Sequence, residues 1–169
     1  YLFLGVGFGI LLSEQAGKGI VWSFCMALFI FAGSAQYLLV SLLAANVSII
    51  SAAVATLLVN ARHIFYGIPL LDTYNDAGKK KSYMIFALTD ETYSLLCTTN
   101  VPENVEEDKF LFAISVMNHS YWVLGSAIGA IAGTVLPIDS EGIEFAMTAL
   151  FIVIFIEQWM ERKNRIPEL

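Results

Sequence analysis

Five polar clusters interrupt otherwise apolar stretches of this chain, and they are the positions able to do chemistry. Ala32-Gly33-Ser34-Ala35-Gln36 is the first. If a helix unwinds there, the next helix begins with free N–H groups and a positive dipole end, which suits a carboxylate. Close packing of small residues is the competing reading. The second cluster is Asn60-Ala61-Arg62-His63 with Tyr66 and Gly67. Asn60 and His63 share a helix face, as do Arg62 and Tyr66. Arg62 anchors a carboxylate from ligand or protein, or it snorkels to the interface. His63 relays protons or bonds a neighbour. Thr89-Asp90-Glu91 is the third. One of its acids can pair with Arg62 while the other faces water, and a carboxylate at low dielectric can carry a coupling proton. Both acids are otherwise ordinary solvated groups of an interfacial loop. The fourth is Asn118-His119 with Trp122 one turn on, a set that lines a cavity or belongs to an aromatic belt. The fifth, Glu157-Gln158, suits an interface.

The surroundings explain why these clusters matter. The chain has 169 residues, 57% of them apolar and 14% charged, about half the charged share of a soluble domain. Mean hydropathy is +0.70. No charged side chain occurs over 19–61 or 110–138. A soluble helix needs a wet face, so runs of this length exclude an ordinary globular domain. They also exclude disorder, a disulfide scaffold and a nucleic-acid binder. A bilayer core takes roughly 20 apolar residues per helical span. The runs are continuous rather than alternating, so helices are expected and β-barrel strands are not. The expected class is all-α, a polytopic helical membrane protein. An Asp or Arg at the centre of such a span costs roughly 2.5–3.5 kcal/mol on insertion scales, so each needs a partner or an aqueous cavity. Cys25 and Cys97 lie in apolar stretches and read as buried thiols. No cleavable signal peptide is visible.

Apolar segments are expected over residues 1–12, 20–45, 48–66, 83–99, 110–136 and 145–160, the second broken at the Gly33 cluster and the fourth at Asp90. Ala27-Leu28-Phe29-Ile30 recurs as Ala149-Leu150-Phe151-Ile152, and Gln36-Tyr37 matches Gln158-Trp159 at the same offset. Gly5 and Gly9 match Gly125 and Gly129 at nearly that offset. These matches predict a duplication. The positive-inside rule places Lys79, Lys80 and Lys81 in the cytoplasm with Arg162, Lys163 and Arg165. An even number of crossings must separate the two basic clusters, yet three apolar segments do. Segment 83–99 is the shortest and carries two acids, so it is expected to be re-entrant. The predicted layout is one transmembrane domain over 1–169, cut from a longer protein at both ends. Repeat unit A covers about 1–66, and repeat unit B starts near 110, inverted and incomplete.

The clusters, in this order, resemble the AzlC family of branched-chain amino acid permeases. The resemblance rests on Ala32-Gly33-Ser34-Ala35-Gln36, on Asn60-x-Arg62-His63-x-x-Tyr66-Gly67, and on Leu88-Thr89-Asp90-Glu91. It continues through Trp122-x-x-Gly125 with Gly129, then Glu144-Phe145-Ala146 and Ala149-Leu150-Phe151-Ile152. It covers essentially the whole chain, although family members are longer. It implies the large subunit of a two-component exporter of leucine, isoleucine and valine in the bacterial cytoplasmic (inner) membrane. The implied partner is a small AzlD-type membrane subunit, and the implied driving force is the proton gradient.

A zwitterionic substrate in an apolar cavity must have both charges met. The expected binding residues are Gly33, Ser34, Ala35, Gln36, Asn60 and Arg62. Asp90, Glu91 and His63 are expected to couple protons. Tyr66, Asn118, His119 and Trp122 are expected to line the cavity. A channel or passive pore component is the alternative, since the same groups can line a water path. No H-E-x-x-H, other metal spacing or Gly-x-Ser-x-Gly elbow is present, so no metal, cofactor or enzymatic activity is expected.

Overall fold

The computed structural model describes residues 1–75, 77–136, 140, 142–143, 145–146, 148–150, 152–153 and 155–156, with the side chains of residues 66, 71, 72 and 75 outside that description. The elements run α1 (Leu2–Glu14), α2 (Ile20–Phe29), α3 (Gly33–Ala44), α4 (Ile49–Asn60), α5 (Arg62–Asn75), a 3-10 turn (Gly78–Lys80), α6 (Lys81–Phe86), α7 (Asp90–Thr98) and α8 (Glu107–Val135). No strand occurs among the described residues. Hydrocarbon supplies no partners for backbone N–H and C=O groups, so an apolar chain without a closed barrel satisfies them within helices. The Glu157-Gln158 cluster and the basic cluster at Arg162, Lys163 and Arg165 lie outside the described residues.

α8 is 29 residues long. At 1.5 Å per residue that is about 43 Å, more than a bilayer core requires. Ile49–Leu70 is also long and apolar enough to cross, and Ala61 interrupts it between α4 and α5. α2 and α3 are half-helices of 10 and 12 residues.

The break between α2 and α3 lies slightly upstream of the expected position. The unwound residues are 30–32, and Gly33 through Gln36 form the first turn of α3. Phe31 rather than Gly33 takes the left-handed conformation, at φ 41°. A bulky side chain there is a strained outlier. Rings hold it in place: the Phe31 centroid lies 4.3 Å from His119, 6.1 Å from Tyr1 and 6.3 Å from Phe86. α6 and α7 are separated by residues 87–89 in the same manner. Thr89 caps α7, its Oγ1 accepting from the Thr92 amide at 3.3 Å.

α1 packs on α8 through glycines. A Cβ on Gly129 would lie 2.0 Å from the Val6 carbonyl oxygen, and one on Gly125 would lie 2.3 Å from that of Leu2. A Cβ on Gly9 would meet the Ser126 carbonyl oxygen at 2.2 Å. Bare backbones therefore touch, the close approach that small residues permit within a membrane. Around this seam Phe8, Leu11, Leu12, Phe31, Val40 and Trp122 form the main core. Leu70, Tyr74, Met84, Leu88 and Leu111 form a second. α4 buries none of its residues, and its apolar side chains face outward, as lipid contact allows. Cys25 and Cys97 are exposed rather than buried. A thiol is apolar enough to meet lipid, so an apolar stretch does not imply burial.

Gly129→Ala should destabilise the protein by about 1–3 kcal/mol, because the added methyl meets fixed backbone. Gly19→Ala, with open space around its Cβ, should leave stability unchanged. Thermal unfolding of the detergent-solubilised full-length protein compares the two.

Candidate functional site

Arg62 is the first residue of α5, and its guanidinium meets two other helix starts. Nη2 lies 2.7 Å from Asp90 Oδ2 in the first turn of α7. The same nitrogen donates to Ser34 Oγ in the first turn of α3. Asp90 is 8% exposed and Arg62 26%. Three broken segments thus converge on one ion pair. Arg stays protonated under all ordinary conditions, so its charge must be met by geometry rather than by loss of a proton. Helix starts carry partial positive charge, and here two of them face an arginine. Asp90 offsets part of that field, and the remainder favours an anion. Glu91 adjoins Asp90 in the same first turn.

A second layer lies behind the ion pair. Trp122 Nε1 donates to Gln36 Oε1 at 2.8 Å. An indole N–H only donates, so the Gln36 amide must present its oxygen there. Its Nε2 is then left buried without a hydrogen-bond partner among the described residues. Asn118 Nδ2 donates to Thr92 Oγ1 at 3.1 Å, and the Thr89 and Thr92 hydroxyls lie 3.1 Å apart. Tyr1 OH donates to Thr89 Oγ1 at 3.3 Å. Tyr83 OH and His119 Nδ1 are 2.8 Å apart. α8 therefore carries Asn118, His119 and Trp122 to α7, α6 and α3 respectively.

The expected residues divide by position. Ser34, Arg62 and Asp90 meet directly. Gly33 and Ala35 are buried in the same first turn as Ser34. His63 instead bonds the Asn60 carbonyl oxygen within its own turn, at 3.0 Å. Asn60 borders an open groove of about 520 Å³ between α3 and α4, with Ile30, Leu39, Ile49, Ala52, Ala53, Thr56 and Leu57. The Tyr66 side chain lies outside the described residues. Sequence reasoning missed Thr92 and Tyr83, and it left Thr89 without a role. A Thr directly before two acids is an N-cap signal that marks the start of α7. Nothing local marks Tyr83. Among the described residues no group of three or more His, Cys, Asp or Glu is placed to hold a metal.

Comparison with known proteins decides the family. A family model described as AzlC protein matches residues 1–136. The chain belongs to the AzlC family. A branched-chain amino acid transport protein AzlC of Bacillus subtilis is 46% identical over 169 residues, all of this chain and 66% of that protein. An uncharacterized membrane protein of Haemophilus influenzae is 43% identical over 170 residues, all of this chain and 69% of that protein. The inner membrane protein YgaZ of Escherichia coli is 26% identical over 171 residues, 97% of this chain and 69% of that protein. The chain spans about two thirds of the length of these AzlC-family relatives. No solved structure matches it.

Trp122→Phe removes the donor to Gln36 and leaves a buried amide wholly unpaired. It should cost about 1–3 kcal/mol of stability, read as a lowered melting temperature of the full-length protein. Trp22→Phe, at a side chain 58% exposed, should have little effect.

Proposed function

We propose that this chain forms the substrate-binding part of a secondary transporter that exports leucine, isoleucine and valine across the bacterial inner membrane, as a multi-pass protein. The observation that carries the reading is the Arg62–Asp90 pair, with Asp90 buried and Arg62 half-buried where three broken segments meet. The name of the Bacillus subtilis relative supports the substrate class.

The pair is itself an internal zwitterion. A bound amino acid replaces it partner for partner. Its carboxylate takes Arg62, the Ser34 hydroxyl and the open amides of Gly33, Ser34 and Ala35 at the start of α3, while the Gln36 amide is already bonded to the Ala32 carbonyl oxygen. Its ammonium takes Asp90. Net charge is unchanged, so neither side of the exchange leaves an unpaired ion at low dielectric. The branched side chain lies in the groove between α3 and α4, which runs from Ile30 at the helix break to Asn60, two residues before Arg62. When the substrate leaves, Asp90 returns to Arg62 or takes a proton, and this alternative couples flux to the proton gradient. Glu91 and His63 adjoin the pair and are the further coupling groups.

Helices broken at the binding level and rocking of one unit against another suit alternating access. Gly5 lies against Gly125 and Gly9 against Gly129, so α1 and α8 run in the same direction, and this seam supports a duplication but not its inversion. The ion pair of Lys80 Nζ with Asp108 Oδ2, at 2.7 Å, supports a re-entrant α6–α7 segment, because it joins the two flanks of that segment. The small AzlD-type subunit is the proposed partner, on the strength of the sequence resemblance.

Arg62→Ala and Asp90→Asn in the full-length protein should each abolish efflux of labelled leucine at unchanged membrane expression. Wild-type efflux in both variants would overturn the assignment.

A further inference from the structure

α2 ends abruptly, and its carbonyl end is left open. The amides of Ile30 and Phe31 both return to the Met26 carbonyl oxygen, at 3.0 and 3.4 Å. Among the described residues, no backbone amide reaches the carbonyls of Ala27 or Leu28. A helix end of this kind carries partial negative charge and needs donors. The side chain beside it is His119, whose ring lies against the backbone of Ala27 and Leu28. His119 is 7% exposed, so it has no ready access to bulk water.

Its two nitrogens are in different situations. Nδ1 lies 2.8 Å from Tyr83 OH. Nε2 is buried and makes no hydrogen bond among the described residues. A neutral imidazole has one donor and one acceptor nitrogen, whereas an imidazolium has two donors. Two acceptors already flank the ring, the Tyr83 oxygen and the open end of α2. Aromatic faces complete the surround: Phe31 at 4.3 Å, Phe86 at 5.6 Å and Tyr83 at 5.9 Å between ring centroids. Such faces favour a cation.

We propose that His119 is a proton-binding site, whose charged form donates from Nε2 to the open carbonyl end of α2 and from Nδ1 to Tyr83. Atoms balance simply: one proton is taken up at the imidazole and the hydroxyl of Tyr83 is retained as acceptor. Few other charges compete. Residues 19–32, covering α2 and the break, contain no Asp, Glu, Lys, Arg or His. Tyr83 is the titratable group that α6 brings to the ring. α1 brings Tyr1, which packs on the far partner, Phe31. α7 meets this level of α8 through Thr92 on Asn118, and its acids Asp90 and Glu91 lie one turn before Thr92 or closer. Asp90 is held by Arg62. Phe31 carries the strained backbone of the α2–α3 break, so a charge on His119 acts directly on the residue that shapes the start of α3. The site is distinct from the Arg62–Asp90 pair, and it depends on the proposed transport only for a flux readout.

The test is nitrogen NMR of the 15N-histidine-labelled full-length protein in liposomes, with His119→Gln assigning the signal. As the pH falls from neutral into the acid range, the His119 ring should convert reversibly from one protonated nitrogen to two. Tyr83→Phe should shift the midpoint of that conversion. In the same liposomes His119→Gln should alter the pH profile of leucine flux over this range. A ring that stays neutral throughout, or a midpoint indifferent to Tyr83→Phe, would overturn the site. So would a wild-type pH profile in His119→Gln. Absence of leucine flux in the wild type would instead count against the transport reading, and the NMR titration would still decide the proton site.

Discussion

An arginine within a membrane keeps its charge, and everything near Arg62 is arranged around that constraint. The guanidinium cannot discard its proton as a lysine or histidine can. It therefore needs an anion at contact distance, and Asp90 supplies one at 2.7 Å. Asp90 reaches it only because α6 and α7 are separate helices, so that the start of α7 lies at the level of Arg62. Ser34 reaches it only because α2 and α3 are separate too. The broken segments are thus consequences of one buried charge as much as features of the fold. They also leave helix ends whose backbone groups need partners. Side chains from α8 attend to those ends, Trp122 through Gln36 at α3 and Asn118 through Thr92 at α7.

Such a site requires a rigid reference. α8 supplies it, being long and continuous where its neighbours are broken. Its glycines let α1 approach backbone to backbone, and Ser23 of α2 donates to the Ser126 carbonyl oxygen at 2.9 Å. A seam without side chains has little freedom to slide, because any shift drives backbone into backbone. The outward arm of α4 and α5 is the opposite case. α4 buries no residue, so the groove it forms with α3 can widen or close at small cost in packing.

The legible part of this structure was the cost of polar groups in apolar runs. That cost singled out Ser34, Arg62 and Asp90, and it left a pairing of one acid of the Asp90-Glu91 pair with Arg62 as one of two open readings, the other being ordinary solvated acids. It marked two of the three helix breaks, since Gly33 and Thr89 stand at the starts of α3 and α7, and it did not mark the interruption at Ala61. The exact unwound residues were not legible at the first break. A glycine suggested that it would take the unusual backbone angles, yet Phe31 takes them, and only the rings of Tyr1, Phe86 and His119 explain why. Partners across long sequence distances were equally hidden. Trp122 and Gln36, or His119 and Tyr83, meet through the tertiary packing of α8, and no periodicity encodes that. Burial of Cys25 and Cys97 was misread for a related reason: in a membrane, apolar surroundings lie outside the protein as well as inside it.

The ion pair at the meeting of the helices is the point on which the rest turns. A double-mutant cycle of Arg62→Gln and Asp90→Asn, read as thermal stability of the full-length protein, measures it. Each single variant leaves a lone charge and should lose stability, whereas the double variant leaves none and should recover most of the loss, with a coupling of about 0.5–3 kcal/mol. Losses that simply add in the double variant would contradict the pairing at the centre of the site.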